Sequence, residues 1–212
     1  ISKGLLISYD YKRNLDSSYL NIIGTSEKIL IDNAKLFNVK YNFISSGFDY
    51  DLSLSASKLT FNDYSFDSID LQYSDNSIFF SSNNIESGEF LKFNSKFTNS
   101  NIFVNYLDAK INNVNIYTEK VSIFNMGNEY ICNDMDILIN NGSLHANLNF
   151  KNMTNYSIDI FINDVNLNNI DKLMFLNNRY DGLLNGTINI SRLRLERLLK
   201  ANLFIDNFRV DE

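Results

Sequence analysis

Alternation of apolar and polar residues is the dominant pattern along this chain. In the segments Tyr156–Ile162 and Ala201–Ile205, apolar side chains recur at every second position, and Leu184, Ile188 and Ile190 repeat the pattern. A period of two places one set of side chains on the buried face of a β-strand and the other set in water. The last third of the chain is therefore predicted to be built mainly from strands.

The same alternation continues through the first 150 residues, in segments spaced about ten residues apart, as in all-β domains. In the segment Leu36–Ile44, the side chains of Phe37, Val39, Tyr41 and Phe43 are predicted to share one face. Asn141-Gly142 is predicted to form a hairpin turn, because both residue types tolerate positive φ. The pattern predicts roughly eighteen short strands of the usual length.

Helical spacing of apolar residues occurs in two short segments. Ile170, Leu173, Met174 and Leu176 recur at this spacing, and a second short helix is predicted at Leu193–Lys200. The predicted fold class is therefore all-β: a long, curved, mostly antiparallel sheet folded into a groove, with one or two short helices. Residues 1–212 are predicted to form one elongated segment of a larger chain, since neither an initiator Met nor a signal-peptide pattern is present.

Four phrases in the last eighty residues resemble the AsmA-like superfamily of bacterial envelope proteins, which includes the TamB and YhdP families. They are a strand pair at Ile137–Asn147, a helical link at Ile170–Leu176, a glycine-containing strand at Asp181–Ile190 and a closing phrase at Leu203–Val210. The resemblance is clearest over residues 135–212. In the first 130 residues it is limited to the regular spacing of the strand-like segments.

The resemblance implies a β-taco, which is a long sheet folded lengthwise around a hydrophobic groove. It also implies a periplasmic location in a Gram-negative bacterium, with an inner-membrane anchor outside this chain. The implied partners are phospholipid and an outer-membrane protein, and the implied role is conducting phospholipids from the inner towards the outer membrane. The residues predicted to line the groove are Ile158, Ile160, Ile162, Leu184, Ile188, Ile190, Leu203 and Ile205.

Two other interpretations of the alternation stay open. The apolar faces are also compatible with an ordinary sealed core, since apolar residues usually mark the inside of a domain. A closed-core β-solenoid of a surface protein would then have a structural or adhesive role. A groove differs from both in exposing an apolar patch larger than monomers normally show.

Composition and charge exclude several classes of function. The net charge of −6 argues against nucleic acid, because neutralising phosphates requires clustered Lys and Arg. The single cysteine, Cys132, leaves no intrachain disulfide to form. No run of eighteen apolar residues is present, so no segment is predicted to cross a membrane as a helix.

Candidate catalytic residues are few, and the chain is predicted not to be an enzyme. His145 is the only histidine, which excludes a multi-histidine metal site, and no metal or cofactor is predicted. The pairs Asp134/Asp136 and Asp49/Asp51 each place two carboxylates on one strand, as a glycosidase or metal site would require. With 25 acidic residues such pairs are expected by chance. Arg192, Arg194, Arg197 and Lys200 form a basic cluster. The cluster is either an exposed connection between two strands or a site that binds anionic lipid head groups.

Overall fold

A computed structural model describes residues 2–13, 18–32, 34–47, 49–61, 64–98, 100–174 and 180–210. Within these ranges the chain forms fifteen β-strands and one α-helix. The strands group into two compact units, residues 1–95 and residues 96–212. Each unit is described separately below.

The first eight strands are β1 Ser2–Lys3, β2 Leu6–Arg13, β3 Ser18–Ile31, β4 Ala34–Ser46, β5 Asp49–Phe61, β6 Tyr64–Ser74, β7 Ser77–Asn84 and β8 Glu89–Phe97. The remaining elements are β9 Asn101–Ile111, β10 Val114–Asn125, β11 Tyr130–Ile139, β12 Gly142–Asn152, β13 Asn155–Asn166, α1 Leu167–Leu173, β14 Tyr180–Leu193 and β15 Glu196–Val210.

Successive strands pair antiparallel within each unit. In the first unit β3 to β7 pair in chain order, and β1 and β2 both pair with β3. In the second unit β9 to β15 pair in chain order, and among the described residues β15 pairs with β14 alone. The prediction of an all-β, mostly antiparallel sheet with a short helix is confirmed.

Three details of the predicted elements are wrong. The described strands number fifteen, and some are longer than predicted, such as the 14-residue strand β3. The predicted helix at Leu193–Lys200 is instead the end of β14, the turn Arg194-Leu195 and the start of β15. Arg194 has a φ of 56°, and this left-handed backbone allows the chain to reverse within two residues. The helix that is present, α1, begins three residues earlier than predicted, and residues 175–179 lie outside the described residues.

The hairpin between β11 and β12 turns one residue earlier than predicted. Ile139 pairs with Gly142, so that Asn140-Asn141 forms the turn and Gly142 begins β12. A Cβ atom at Gly142 would lie 2.5 Å from the backbone oxygen of Asp164. The glycine is therefore required by the close approach of β13 rather than by the turn.

Several strands contain a polar residue with positive φ that shifts the alternation by one position. In β4 this residue is Asn38, in β10 Lys120, in β11 Asp134 and in β13 Asp164. In each strand the residue two positions before it and the residue directly after it face the same side. These flanking pairs are Leu36 and Val39, Thr118 and Val121, Cys132 and Met135, and Ile162 and Val165. Such irregular positions bend a strand and increase its twist.

The shift at Asn38 explains why the predicted face of β4 is wrong for one residue. Val39 and Tyr41 belong to a cluster with Ala56 and Ile69 of the neighbouring strands. Phe37 lies on the opposite face, beside Lys28, whose ammonium group is 5.4 Å from the centre of the Phe37 ring. The side chain that joins the cluster from this part of β4 is Leu36.

The sheet of the second unit bends around α1. Val114 of β10, Ile139 of β11 and Val165 of β13 form one buried cluster, and Ile170 and Leu173 of the helix pack against it. The helix also contacts β14. Side chains from four strands are therefore gathered around one short helix.

Replacement of Gly186 tests how closely β14 and β15 approach. A Cβ at this position would lie 2.1 Å from the backbone oxygen of Asn202, and the φ of 133° is rarely adopted by residues other than glycine. We expect Gly186→Ala to destabilise the protein by about 3 kcal/mol, lowering the thermal midpoint by roughly 8 °C in circular dichroism. Gly127→Ala is the matched control, because Gly127 also has a positive φ but no atom within 4 Å of its added Cβ. Equal losses in the two variants would contradict the close approach.

Candidate functional site

The candidate site is one face of the sheet of the second unit, here called the apolar face. Cross-strand pairing places its side chains in rows that cross β11, β12, β13, β14 and β15. The three central rows are Ile137–Leu144–Ile162–Gly186–Leu203, Met135–Ala146–Ile160–Ile188–Ala201 and Cys132–Leu148–Ile158–Ile190–Leu199. A further row joins Val165, Leu184 and Ile205.

All eight side chains predicted to line a groove lie on the apolar face. Ile158, Ile160 and Ile162 come from β13, and Ile158 and Ile160 pair directly with Ile190 and Ile188 of β14. Leu184 pairs with Ile205, and Leu203 lies opposite Gly186. Sequence reasoning did not assign Ile137, Leu144 and Leu148 to the lining, although the alternation of β11 and β12 is the same signal.

The large side chains of the apolar face are only partly covered. Ile158, Ile160, Leu184, Ile188 and Ile190 are half-buried, and Ile162 is the one predicted lining residue that is buried. On the edge strand β15, Leu203 and Ile205 are each 42% exposed. In residues 100–174 and 180–210, no Leu, Phe, Tyr or Met side chain is buried. A sealed core would bury Leu and Phe as well as Val and Ile, so the apolar face is not closed off from its surroundings.

Helix α1 covers the apolar face at one end. Ile170 and Leu173 of the helix pack against a buried cluster formed by Val114, Ile139, Ile162 and Val165. The helix begins at the cap residue Asn166, whose side-chain oxygen accepts a hydrogen bond from the amide of Asn168 at 2.7 Å. The ends of four strands, β10, β11, β13 and β14, meet under this helix.

Polar side chains fix α1 in this position. The amide group of Asn112 donates to the backbone oxygen of Lys172 at 2.9 Å, and that of Asn140 donates to the Asn169 side chain at 3.0 Å. Asp171 is buried, and its carboxylate accepts a hydrogen bond from the amide of Tyr180 at 3.1 Å. The helix is therefore tied to two hairpin turns and to the start of β14.

Two shallow cavities lie away from the central rows. One, of about 280 Å³, is lined mainly by polar side chains beside α1, including Asn140, Asp164 and Lys172. The other, of about 320 Å³, lies in the first unit, where the Tyr41 ring occupies the space over Gly24. The first unit also has its own row of apolar residues, Tyr41, Leu54, Leu71 and Phe80, around the buried residues Val39, Ala56 and Ile69.

The predicted carboxylate pair in β11 meets His145 on the face opposite the apolar one. His145 Nδ1 lies 2.8 Å from the carboxylate of Asp136, and Nε2 lies 3.7 Å from that of Asp134. Both carboxylates are largely exposed. Asp49 and Asp51 are exposed at the start of β5. In the part of the chain that the structure describes, no three His, Cys, Asp or Glu side chains converge as a metal site requires.

The burial and the pKa of the Cys132 thiol indicate how polar its surroundings on the apolar face are. Its side chain is buried, and burial together with the Asp134 carboxylate raises the pKa of the thiol. Both effects disfavour the thiolate, which is the reactive form. The environment of Cys132 is therefore apolar, as its row with Leu148, Ile158 and Ile190 suggests.

No family model, curated protein or solved structure matches this chain. Within the described ranges, none of the helical structure is long and apolar enough to cross a membrane.

We expect Cys132 to react with a thiol reagent roughly tenfold more slowly in the folded protein than in the denatured chain at pH 8. The raised pKa also makes stability fall as the pH rises from the unfolded thiol value, about 8.5, through the higher folded value. Cys132→Ala removes this contribution to the pH dependence and serves as the control in alkaline denaturant titrations. Equal reactivity in the folded and denatured chains would contradict an apolar environment.

Proposed function

We propose that this chain binds phospholipid by shielding acyl chains on the apolar face of its second unit. The proposal rests on one observation: the large side chains of the central apolar rows are only half-buried. Burying these side chains against an acyl chain contributes about 0.8 kcal/mol per methylene. The role requires no catalytic group, since binding and movement along similar sites involve no bond making or breaking.

The proposal includes the setting that the sequence resemblance implies. The chain is then a lipid-conducting segment of an AsmA-like envelope protein in the periplasm of a Gram-negative bacterium. Its partners are phospholipid, the inner membrane through an anchoring segment elsewhere, and an outer-membrane protein. Antiparallel pairing of successive strands favours this over a β-solenoid, because β-helices pair their strands in parallel.

Photo-crosslinking from position 188 tests the proposal directly. A photoreactive residue in place of Ile188 lies in a central row of the apolar face, so we expect it to crosslink to phospholipid acyl chains in cells. The matched control is Phe161, which is 46% exposed and apolar but lies on the opposite face, beside His145. Equal crosslinking at the two positions would contradict a specific apolar site, and crosslinking at neither would indicate a structural role.

A polar substitution on the same face provides a second test. We expect Ile188→Asn to lower the amount of phospholipid that co-purifies in native mass spectrometry by about tenfold, because an amide is costly to bury against an acyl chain. Thr187→Asn is the control, since Thr187 is the neighbouring residue and faces the other side. Circular dichroism of both variants checks that the fold is retained. Undiminished lipid in Ile188→Asn would count against the proposal.

A further inference from the structure

Three hairpin turns of the second unit lie at the end of the strands opposite α1. They join β10 to β11, β12 to β13, and β14 to β15. The last two are in direct contact, since the Arg194 amide donates to the Thr154 backbone oxygen at 2.7 Å and the Arg192 guanidinium donates to the Met153 backbone oxygen at 2.8 Å. Neighbouring turns are about 10 Å apart, because each hairpin adds two strands.

Each of these turns exposes a large apolar side chain. Met126 is 68% exposed, Met153 is 74% exposed and Leu195 is 93% exposed. Turns normally present polar residues to water, so an exposed Leu or Met at three successive tips is not what a solvated end requires. Leu195 in particular does not pack against the apolar rows, since it is almost entirely in solvent.

The side chains just behind the tips are mainly basic and aromatic, and two acidic residues, Glu196 and Glu129, lie among them. Arg192, Arg194 and Arg197 flank the exposed Leu195, and none of them forms an ion pair with a carboxylate of the described residues. On the apolar face these strands end in a row that runs Tyr130–Phe150–Tyr156–Arg192–Arg197. Phe150 and Tyr156 are stacked, with ring centres 6.5 Å apart.

Two of the arginines lie opposite each other on neighbouring strands, and the Arg192 guanidinium donates to the backbone oxygens of Arg194 and Met153 but to no carboxylate of the described residues. Arg192 and Arg197 are direct cross-strand partners, and like charges in that position destabilise a sheet. The cluster is also positive in a chain whose net charge is −6. Lys151 is already paired with Glu129 at 3.4 Å, which leaves the arginines as the cations available at this end.

We infer that the three turns form a docking edge for the surface of an anionic lipid bilayer. Leu195, Met153 and Met126 enter the outer part of the hydrocarbon region, and Tyr130 and Tyr156 lie at head-group depth, where such rings are favoured. Arg192, Arg194 and Arg197 bind the lipid phosphates. This inference goes beyond the proposed function, because docking of an edge on a surface does not require that the apolar face hold an acyl chain.

Vesicle flotation of the 212-residue chain tests the inference. We expect binding to phosphatidylcholine vesicles that contain about one quarter phosphatidylglycerol, and weaker binding at high salt or to pure phosphatidylcholine. We expect Leu195→Ser to weaken binding about tenfold, and Arg194→Gln or Arg197→Gln to weaken it about fivefold each. All three positions are exposed, so the variants are expected to retain the fold, which circular dichroism verifies.

Matched controls exclude a general effect of charge or apolar exposure. Met174→Ser removes an apolar side chain that is 63% exposed but lies beside α1, at the other end of the strands, and should leave binding unchanged. Lys35→Gln removes an exposed cation from the first unit and should act in the same way. Equal losses in Met174→Ser and Leu195→Ser, or no binding by the unaltered chain, would overturn the inference.

The same variants separate docking from acyl-chain binding. Ile188→Asn is expected to bind vesicles normally while losing co-purified phospholipid, and Leu195→Ser is expected to lose vesicle binding while retaining the capacity of the apolar face. Vesicle binding that disappears in Ile188→Asn but persists in Leu195→Ser would assign the membrane contact to the apolar face and overturn the docking edge.

Discussion

The curvature of the sheet depends on polar residues that take left-handed backbone conformations inside long strands. Asp134 and Asp164 are two of them in the second unit, and each shifts the alternation of its strand by one residue. A regular strand of this length would keep strict alternation and lie in a flatter sheet. The shift bends the strand, and the bend brings Val165 and Ile162 into one cluster with Val114 and Ile139. Without it, α1 would have no concave surface to occupy.

The polar residues at these positions are stabilised by side chains of the adjacent strand. The amide of Asp164 donates to the side-chain oxygen of Asn185 at 2.8 Å, and the amide of Asp134 donates to that of Asn147 at 3.0 Å. Each bulge removes a backbone partner from an amide, and a backbone N–H within a sheet needs another acceptor. Asparagine on the neighbouring strand replaces the missing acceptor. Asn147 and Asn185 therefore have a structural role that composition alone does not reveal.

Alternation predicted the strands and the side on which most residues lie, because the two-residue period is a local property of the chain. It placed all eight residues from Ile158 to Ile205 on one face without any knowledge of pairing. It was wrong for Phe37, because the left-handed conformation of Asn38 depends on the neighbouring strand, where Ser57 accepts a hydrogen bond from the Asn38 side chain. It was also wrong for Leu193–Lys200, where leucines at helical spacing mark one hairpin with both faces exposed. The spacing of apolar residues cannot distinguish a short helix from an edge hairpin, since neither buries a complete face.

The two ends of the second unit differ in whether their apolar side chains are covered. At the end that carries α1, hydrogen bonds from Asn112 and Asn140 hold the helix over the apolar cluster, which removes that surface from water. At the other end no described element covers the strand ends, and the apolar side chains of Met153 and Leu195 are exposed beside arginines that form no ion pair with a described carboxylate. A chain that only had to fold would lose nothing by placing polar residues at those tips. The asymmetry therefore indicates that the uncovered end meets a surface that is both apolar and anionic, which is the combination a bilayer presents.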